Sequence, residues 1–366
     1  MGTETSTACS SSRRRGNHPR SCLVQQPSSL NQRDHLGDPY LSVEYHMIIT
    51  NNSNIELSLA VWLMYDEYDY VNESNYISAT SLMKPLRQII LPRRIKAEQT
   101  MDLVDLIPTT LGHSLHDSIE KAWVKGHALA LKKLGYPQSV IDRVLINPTP
   151  EQLAAVKDAI PVYLEQRAIR EINGWKVGGK FDMVADGIVH DNKSTSAYTW
   201  VYGGRDDEHQ LQGSLYRWLN PDKIKEDFIR INYIFTDWQK AQVAQNPKYP
   251  DQRLKSKDIP LLSAEATEQW IINKLNLVQK YWDAPEKEIP FCTDEELWKS
   301  EDTFKYYADP TKTSGRSTKN FTDKALARAF QAEKGGKGII ITVPGEAKRC
   351  GYCAAFDGCT QKDSFK

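Results

Sequence analysis

Hydrophobic and polar positions alternate most sharply over residues 228–238, where Ile229, Ile231, Tyr233 and Phe235 fall on every second position. A period of two places those side chains on one face of an extended chain, which predicts a half-buried β-strand. Residues 165–193 have the same extended character and predict successive antiparallel strands. Within them, Asp186-Gly187 separates two apolar runs, the pattern of a two-residue hairpin turn. Elsewhere the period becomes helical. Leu115, Ile119 and Ala122 predict one amphipathic helix, and Leu211, Leu215 and Trp218 predict another whose polar stripe carries His209, Gln212 and Tyr216. Residues 263–282, with Trp270, Ile271, Leu275 and Val278, predict a long helix. Residues 97–170 read as mainly helical, broken at Gly135-Tyr136-Pro137 and Pro148-Thr149-Pro150. Leu57–Met64 is dense enough in apolar residues to predict burial. The pattern as a whole predicts an α/β fold, a mixed β-sheet flanked by helices, with no internal repeat.

Composition narrows this only a little. The chain has 366 residues, of which 40% are hydrophobic, enough for a packed core. No run approaches the roughly 18 apolar residues of a membrane helix, so no membrane partner is expected. Residues 1–38 are rich in Ser, Thr, Arg and Gln and predict a disordered tail. They hold no apolar stretch of the secretory type, so a cytoplasmic location is expected. Residues 39–290 then form the core with a helical N-terminal part, and residues 291–366 a cysteine-containing segment. Formal net charge is zero, so any attraction to nucleic acid must be local. Lys84, Arg87, Arg93, Arg94 and Lys96 make one basic group, and Lys312, Arg316, Lys319, Lys324 and Arg328 a second.

The candidate chemistry lies on the hairpin. Asp182 is on its first strand, and Asp191 and Lys193 stand two residues apart on its second, hence on one face. Converging carboxylates can hold a divalent cation, and a nearby lysine can steady a metal-bound hydroxide or a phosphate oxygen, the requirements of phosphodiester hydrolysis. An acid two residues before a lysine is common, as Glu346-Ala347-Lys348 shows, so the flanking helices carry the weight. His116 and Glu120 are one turn apart on the upstream helix, with His113 a rival on the same element.

In order, the chain presents a helix with G-x-x-x-H-x-x-x-E, a hairpin with G-x-x-D and D-x-K, and a helix with Q-x-x-x-Y. This order resembles the RecB-like branch of the PD-(D/E)XK nuclease superfamily, which includes the CRISPR-associated iron–sulfur exonucleases and many phage-encoded recombination nucleases. The phage proteins are the nearer likeness, because Tyr76–Pro85 followed by Arg87, Gln88 and Leu91 is similar to their opening motif. The resemblance runs from about Ile55 to Cys359. It implies a restriction-endonuclease-like core and a metal-dependent DNA exonuclease working in phage-type recombination or DNA processing. It further implies that His116, Asp182, Asp191 and the carbonyl of Asn192 hold Mg²⁺ or Mn²⁺. Lys193 would position the attacking water, Gln212 and Tyr216 would brace the site or touch DNA, and Glu120 would orient His116. The chain holds no phosphate-binding G-x-x-x-x-G-K-[ST] loop, so a helicase, like a single-strand annealing protein, would be a separate partner.

Cys350, Cys353 and Cys359 have the spacing of ligands to a metal or cluster. In the resembling exonucleases such a trio joins an earlier cysteine around a four-iron, four-sulfur cluster. No cysteine stands near Pro85, where that earlier ligand is expected, and Cys292 is the better fourth member here. Iron–sulfur and zinc both remain open, with a structural role in either case. Two other readings of the whole chain stay open: a non-catalytic DNA-binding recombination accessory protein that keeps the nuclease fold, and a structural zinc protein whose hairpin acids are incidental.

Overall fold

The computed structural model describes residues 47–66, 69–95, 99–203 and 205–365. The tail expected over residues 1–38 lies outside them, as does Lys96. In chain order the elements are β1 (Met47–Thr50), α1 (Leu57–Met64), β2 (Tyr76–Ser78), α2 (Ala79–Leu82), α3 (Leu86–Ile90), β3 (Gln99–Asp102), α4 (Ile107–Lys133), α5 (Gln138–Ile141), β4 (Val144–Ile146) and α6 (Pro150–Ala155). They continue with β5 (Ile160–Ile172), β6 (Trp175–Ala185), β7 (Ile188–Thr195), α7 (Ala197–Tyr202), α8 (Asp206–Leu219), β8 (Phe228–Phe235), α9 (Lys240–Gln245), β9 (Leu254–Pro260) and α10 (Ala264–Tyr281). Last come β10 (Thr303–Tyr307), β11 (Lys319–Phe321), α11 (Lys324–Glu333) and β12 (Ile339–Val343). The fold is mixed α/β, with a mixed sheet flanked by helices.

Among the described residues the main sheet has seven strands, in the order β4-β5-β6-β7-β8-β9, with β2 also pairing to β6. β5, β6 and β7 form an antiparallel meander, β7 and β8 run parallel, and β9 is antiparallel to β8. Both meander turns are two residues long and left-handed. Asn173 and Gly174 have φ of 50° and 74°, and Asp186 and Gly187 have φ of 49° and 83°. Those are the angles that Asn-Gly and Asp-Gly adopt at least cost, and their twist matches that of the strands. The alternation expected in β8 is present: Ile229, Ile231, Tyr233 and Phe235 are buried and the residues between them are half-buried.

One apolar cluster packs α2, α3, α8 and α10 on the sheet through Leu82, Ile90, Leu215, Trp218, Ile271, Leu275 and Val278. Close approach here depends on glycine. A Cβ at Gly178 would stand 2.4 Å from the Tyr76 ring, and one at Gly179 would stand 2.8 Å from Leu219. Ser263 starts α10 by accepting a hydrogen bond from the Ala266 N–H at 3.1 Å. The C-terminal part returns to the same cluster, with Ala355 inside it and Cys353 and Cys359 packed against it.

Three expectations need correction. The stretch 97–170 is helical over α4, α5 and α6, but β4 and the whole of β5 are strands. Val162, Tyr163 and Leu164 are consecutively buried, and a run buried on both faces has no period to distinguish strand from helix. Residues 57–64 are only partly buried: Ala60 and Leu63 are covered, while Leu57 and Val61 are exposed. Arg87, named above in a basic group that could attract nucleic acid, is 2% exposed. Its guanidinium pairs with Glu286 and donates to the Ile289 carbonyl at 2.9 Å, so it ties α3 to the segment after α10.

Candidate metal and phosphodiester site

Two hairpin registers line up the candidate acids. Across the Asn173-Gly174 turn Ile172 pairs with Trp175, and the register holds out to Val162 and Ala185. Glu165 stands seven residues before Ile172 and Asp182 seven after Trp175, so they face each other. Across the Asp186-Gly187 turn Ala185 pairs with Ile188, and three residues further out Asp182 comes opposite Asp191. Glu165, Asp182 and Asp191 therefore form a row across β5, β6 and β7.

The sheet is irregular along that row. Glu165 has φ of 49°, a left-handed conformation that a non-glycine strand residue seldom takes. Phe181 packs with Tyr216 and Ile231, whereas Met183 packs with Leu164 and Trp123, so the alternation of β6 changes sides at Asp182. The β6–β7 pairing also stops one residue short of Asp182 and Asp191. Strain of this kind costs on the order of 1–3 kcal/mol per residue and is held in place by the surrounding packing.

His116 projects from α4 onto the row. Its Nδ1 lies 3.2 Å from Asp182 Oδ2 and its Nε2 lies 3.1 Å from the Asn192 carbonyl. Both partners are acceptors, so the ring donates from both nitrogens only as an imidazolium. The hydrogen bond to Asp182, working against burial, raises its pKa accordingly. The ligand atoms of His116, Glu165 and Asp182 all lie within 4.8 Å of one another. One imidazole and two carboxylates suit a hard or borderline divalent cation. Glu120, expected to orient His116, does not fill that role, because both ring nitrogens are engaged elsewhere. His113 is exposed, toward the start of α4.

Asp191 is held differently. It is 1% exposed, and Lys193 Nζ lies 3.0 Å from its Oδ1 and 2.8 Å from its Oδ2. Gln212 Nε2 on α8 donates to Asp191 Oδ1 at 3.2 Å and to the Tyr216 hydroxyl at 3.0 Å. Asp191 Oδ2 accepts no hydrogen bond of good geometry among the described residues. Burial works to lower the Lys193 pKa, and the Asp191 carboxylate more than offsets it, so the ammonium is held above its ordinary range. The geometry thus divides the expected set: His116, Asp182 and the Asn192 carbonyl converge on one point, while Asp191, Lys193, Gln212 and Tyr216 form a chain beside it.

Sequence reasoning missed Glu165 and its partner Lys180, whose Nζ lies 2.8 Å from Glu165 Oε2. Burial, with the adjacent Asp182 charge, raises the Glu165 pKa against the pull of Lys180. The signal was present in the Asn173-Gly174 turn, from which counting outwards places residue 165 opposite 182. His209 was seen only as part of a polar stripe. It is buried near Asp191, and burial lowers its pKa.

The four C-terminal cysteines come together. Cys292, Cys350, Cys353 and Cys359 line one small cavity with Arg87. The chain leaves the core after Cys292, forms the small antiparallel sheet β11-β10-β12 with α11, and returns at Cys350. Gln361 pins Cys292 at both ends of its backbone, accepting from its N–H at 2.9 Å and donating to its carbonyl at 2.8 Å. Arg87 Nε donates to Cys359 Sγ at 3.3 Å. Burial pushes the Cys292 thiol up to about 12 and raises that of Cys350. No three of these sulfurs lie within 4.8 Å of one another. Four thiols lining one cavity are a ligand set that suits either a tetrahedral zinc or an iron–sulfur cluster.

The two basic groups lie elsewhere. Arg93 lies over the Trp282 ring at 3.6 Å, and Arg94 caps the end of α10 through the carbonyls of Tyr281, Trp282 and Ala284. Lys312 and Arg316 lie in the connection between β10 and β11, Lys319 opens β11 and covers Phe321 and Phe330, and Lys324 and Arg328 are on α11. Among the described residues, no helix is long and apolar enough to cross a membrane.

No family model matches the chain, and no curated protein matches it. Two solved chains match. One, described as "Crystal structure of SSO0001", is 18% identical and covers 63% of this chain and 89% of its own, with a TM-score of 0.37. That likeness is too loose to carry a conclusion.

Proposed function

We propose that this chain is a divalent-metal-dependent deoxyribonuclease with a restriction-endonuclease-like core, acting as an exonuclease in recombination or DNA processing. The observation that carries the reading is the row Glu165–Asp182–Asp191 across three adjacent strands, met by His116 from one side and Lys193 from the other. Asp182, Glu165, His116 and the Asn192 carbonyl would hold Mg²⁺ or Mn²⁺, with Asp191 at its edge. The ion supplies Lewis-acid polarisation of the phosphate and a water of lowered pKa. Lys193 brings a fixed positive charge to the side where phosphate charge grows, and its ion pair with Asp191 keeps it aimed. Gln212 and Tyr216 hold Asp191 against rotation. Lys180 offsets part of the repulsion among the acids.

The cysteine cavity is proposed as a separate structural site for an iron–sulfur cluster, with zinc as the alternative. The Arg87 N–H toward Cys359 supplies a donor of the kind that tunes cluster sulfurs. Thiolates suit Mg²⁺ poorly, so the two sites should not exchange metals. End-labelled linear DNA and closed circular DNA, each incubated with Mg²⁺, Mn²⁺ or EDTA, test the activity. Metal-dependent loss of label from linear DNA, with circular DNA intact, is expected. No cleavage under any metal would defeat the reading and favour a DNA-binding role without catalysis.

A further inference from the structure

α7 leaves β7 directly beyond the Asp191–Lys193 pair, with only Ser196 between the two elements. Its position is fixed. The Ser196 hydroxyl donates to Asp237 at 2.6 Å, the Ala197 N–H donates to the same carboxylate at 2.7 Å, and Thr195 bonds Thr199 at 2.8 Å. Trp200 turns inward, edge-on to Tyr233 at 5.8 Å and to Phe235 at 6.1 Å. Tyr198 and Tyr202, four residues apart, therefore come out on the other side. They stack with ring centroids 6.0 Å apart and planes 19° from parallel, yet are 49% and 81% exposed. A stacked pair left open to water has burial to gain from a planar partner.

The pair adjoins an open cleft of about 450 Å³, walled by Trp200, Tyr249, Lys248 and Lys255. Tyr198 meets Tyr249, which lines the cleft, edge-on at 6.4 Å, so the platform reaches the cleft's wall through that ring. Lys248 is exposed, and Lys255 lies 5.6 Å over the Trp200 ring while paired to Asp251 at 2.9 Å. At the other end of α7, exposed Arg205 is near enough to Lys193 and His209 for its charge to act on both. Rings interleaved with cations, leading toward a site for phosphodiesters, suit a planar-based polyanion better than an apolar peptide.

We propose that the Tyr198–Tyr202 platform and the adjoining cleft bind unpaired bases of a single DNA strand whose backbone continues to Lys193. Duplex bases are stacked on one another and cannot use these rings, so the surface favours single-stranded ends. The proposal rests on the nuclease reading of the neighbouring site. Lys248 and Lys255 contact phosphates, and the tyrosines contribute stacking that tolerates any base.

The test is fluorescence anisotropy of the full chain with a labelled oligo-dT and with a blunt duplex of equal length, in EDTA so that nothing is cleaved. A Tyr198→Ala/Tyr202→Ala variant should bind oligo-dT about 5- to 150-fold more weakly for each stack lost, and the duplex as well as wild type does. Tyr198→Phe/Tyr202→Phe should keep wild-type affinity, since stacking needs the ring and not the hydroxyl. Unchanged oligo-dT affinity in the alanine variant, or an equal loss on duplex, would overturn the platform. Wild-type protein that cleaves DNA with Mn²⁺ while the alanine variant binds oligo-dT normally would refute the platform alone. Wild-type protein that neither binds nor cleaves DNA would refute the nuclease reading, and the platform with it.

Discussion

Replacing Glu165 by Gln keeps the shape of the side chain and removes one charge from the row. The ligand atoms of His116, Glu165 and Asp182 lie within 4.8 Å of one another. Two carboxylates at that separation repel by at least about 3.5 kcal/mol at an effective dielectric of about 20. Lys180 at 2.8 Å and the His116 ring offset most of this. Metal-free Glu165→Gln should therefore match wild-type stability or exceed it by about 1 kcal/mol. The response to metal should differ far more. A site at 100 times its Kd in Mn²⁺ gains about 2.7 kcal/mol, and one binding tenfold more weakly in the same solution gains about 1.4 kcal/mol. Thermal unfolding with and without Mn²⁺, with a chelator control, reads the difference as a smaller rise in Tm. The reasoning fails if Glu165→Gln keeps the full Mn²⁺ shift while Asp182→Asn abolishes it. Glu165 would then be a spectator held only by Lys180.

Four further outcomes are expected. Lys193→Ala should lower the DNA cleavage rate by about 10²–10³, the cost of removing one charge-stabilising donor, and a wild-type rate would exclude Lys193 from the reaction. His116→Ala should lose both activity and Mn²⁺ binding while exposed His113→Ala loses neither; the reverse result would mean that the wrong histidine has been assigned. Cys353→Ser should reduce iron and sulfide content and melting temperature together, and a zinc-loaded, iron-free wild type would remove the cluster assignment. The bonds from Ser196 and Ala197 hold the Asp237 carboxyl below its ordinary range, with burial opposing them. Its folded pKa is below the unfolded one, so its contribution is present above pH about 4 and fades as pH falls through the folded value. Asp237→Ala should thus melt lower than wild type at pH 7, with the gap closing toward pH 3 in parallel melts; a gap independent of pH would contradict this.

The elements read most directly from sequence are those with a clean period or a demanding turn. β8 alternates without interruption, α8 and α10 bury one stripe each, and Asp186-Gly187 turns where its residue types require. β5 was harder, because Val162, Tyr163 and Leu164 are all buried and mimic a helix interior. Burial itself is a tertiary property, which is why Arg87 was named in a basic group that could attract nucleic acid although it is walled in by Glu286, Ile289 and Cys359. In the site, Asp182, Asp191 and Lys193 were picked out by the hairpin together with the helices that flank it, and the two-residue spacing of Asp191 and Lys193 is reflected in their ion pair. Glu165 was missed although the Asn173-Gly174 turn sets the register that brings it opposite Asp182; only its left-handed backbone is announced by no local pattern. The cysteine spacing was legible, but the cavity that Cys292 shares with the other three emerges only once the segment beyond β12 folds back beside Arg87 on α3.

The central claim is that the carboxylate row is a divalent-metal centre. Anomalous diffraction from a crystal soaked in Mn²⁺ tests it most directly. The account predicts a manganese peak between Asp182, Glu165, His116 and the carbonyl of Asn192, near the Asp191–Lys193 pair and away from the four cysteines. Saturating Mn²⁺ that leaves this position without a peak, and places manganese only at surface carboxylates or in the cysteine cavity, would contradict it.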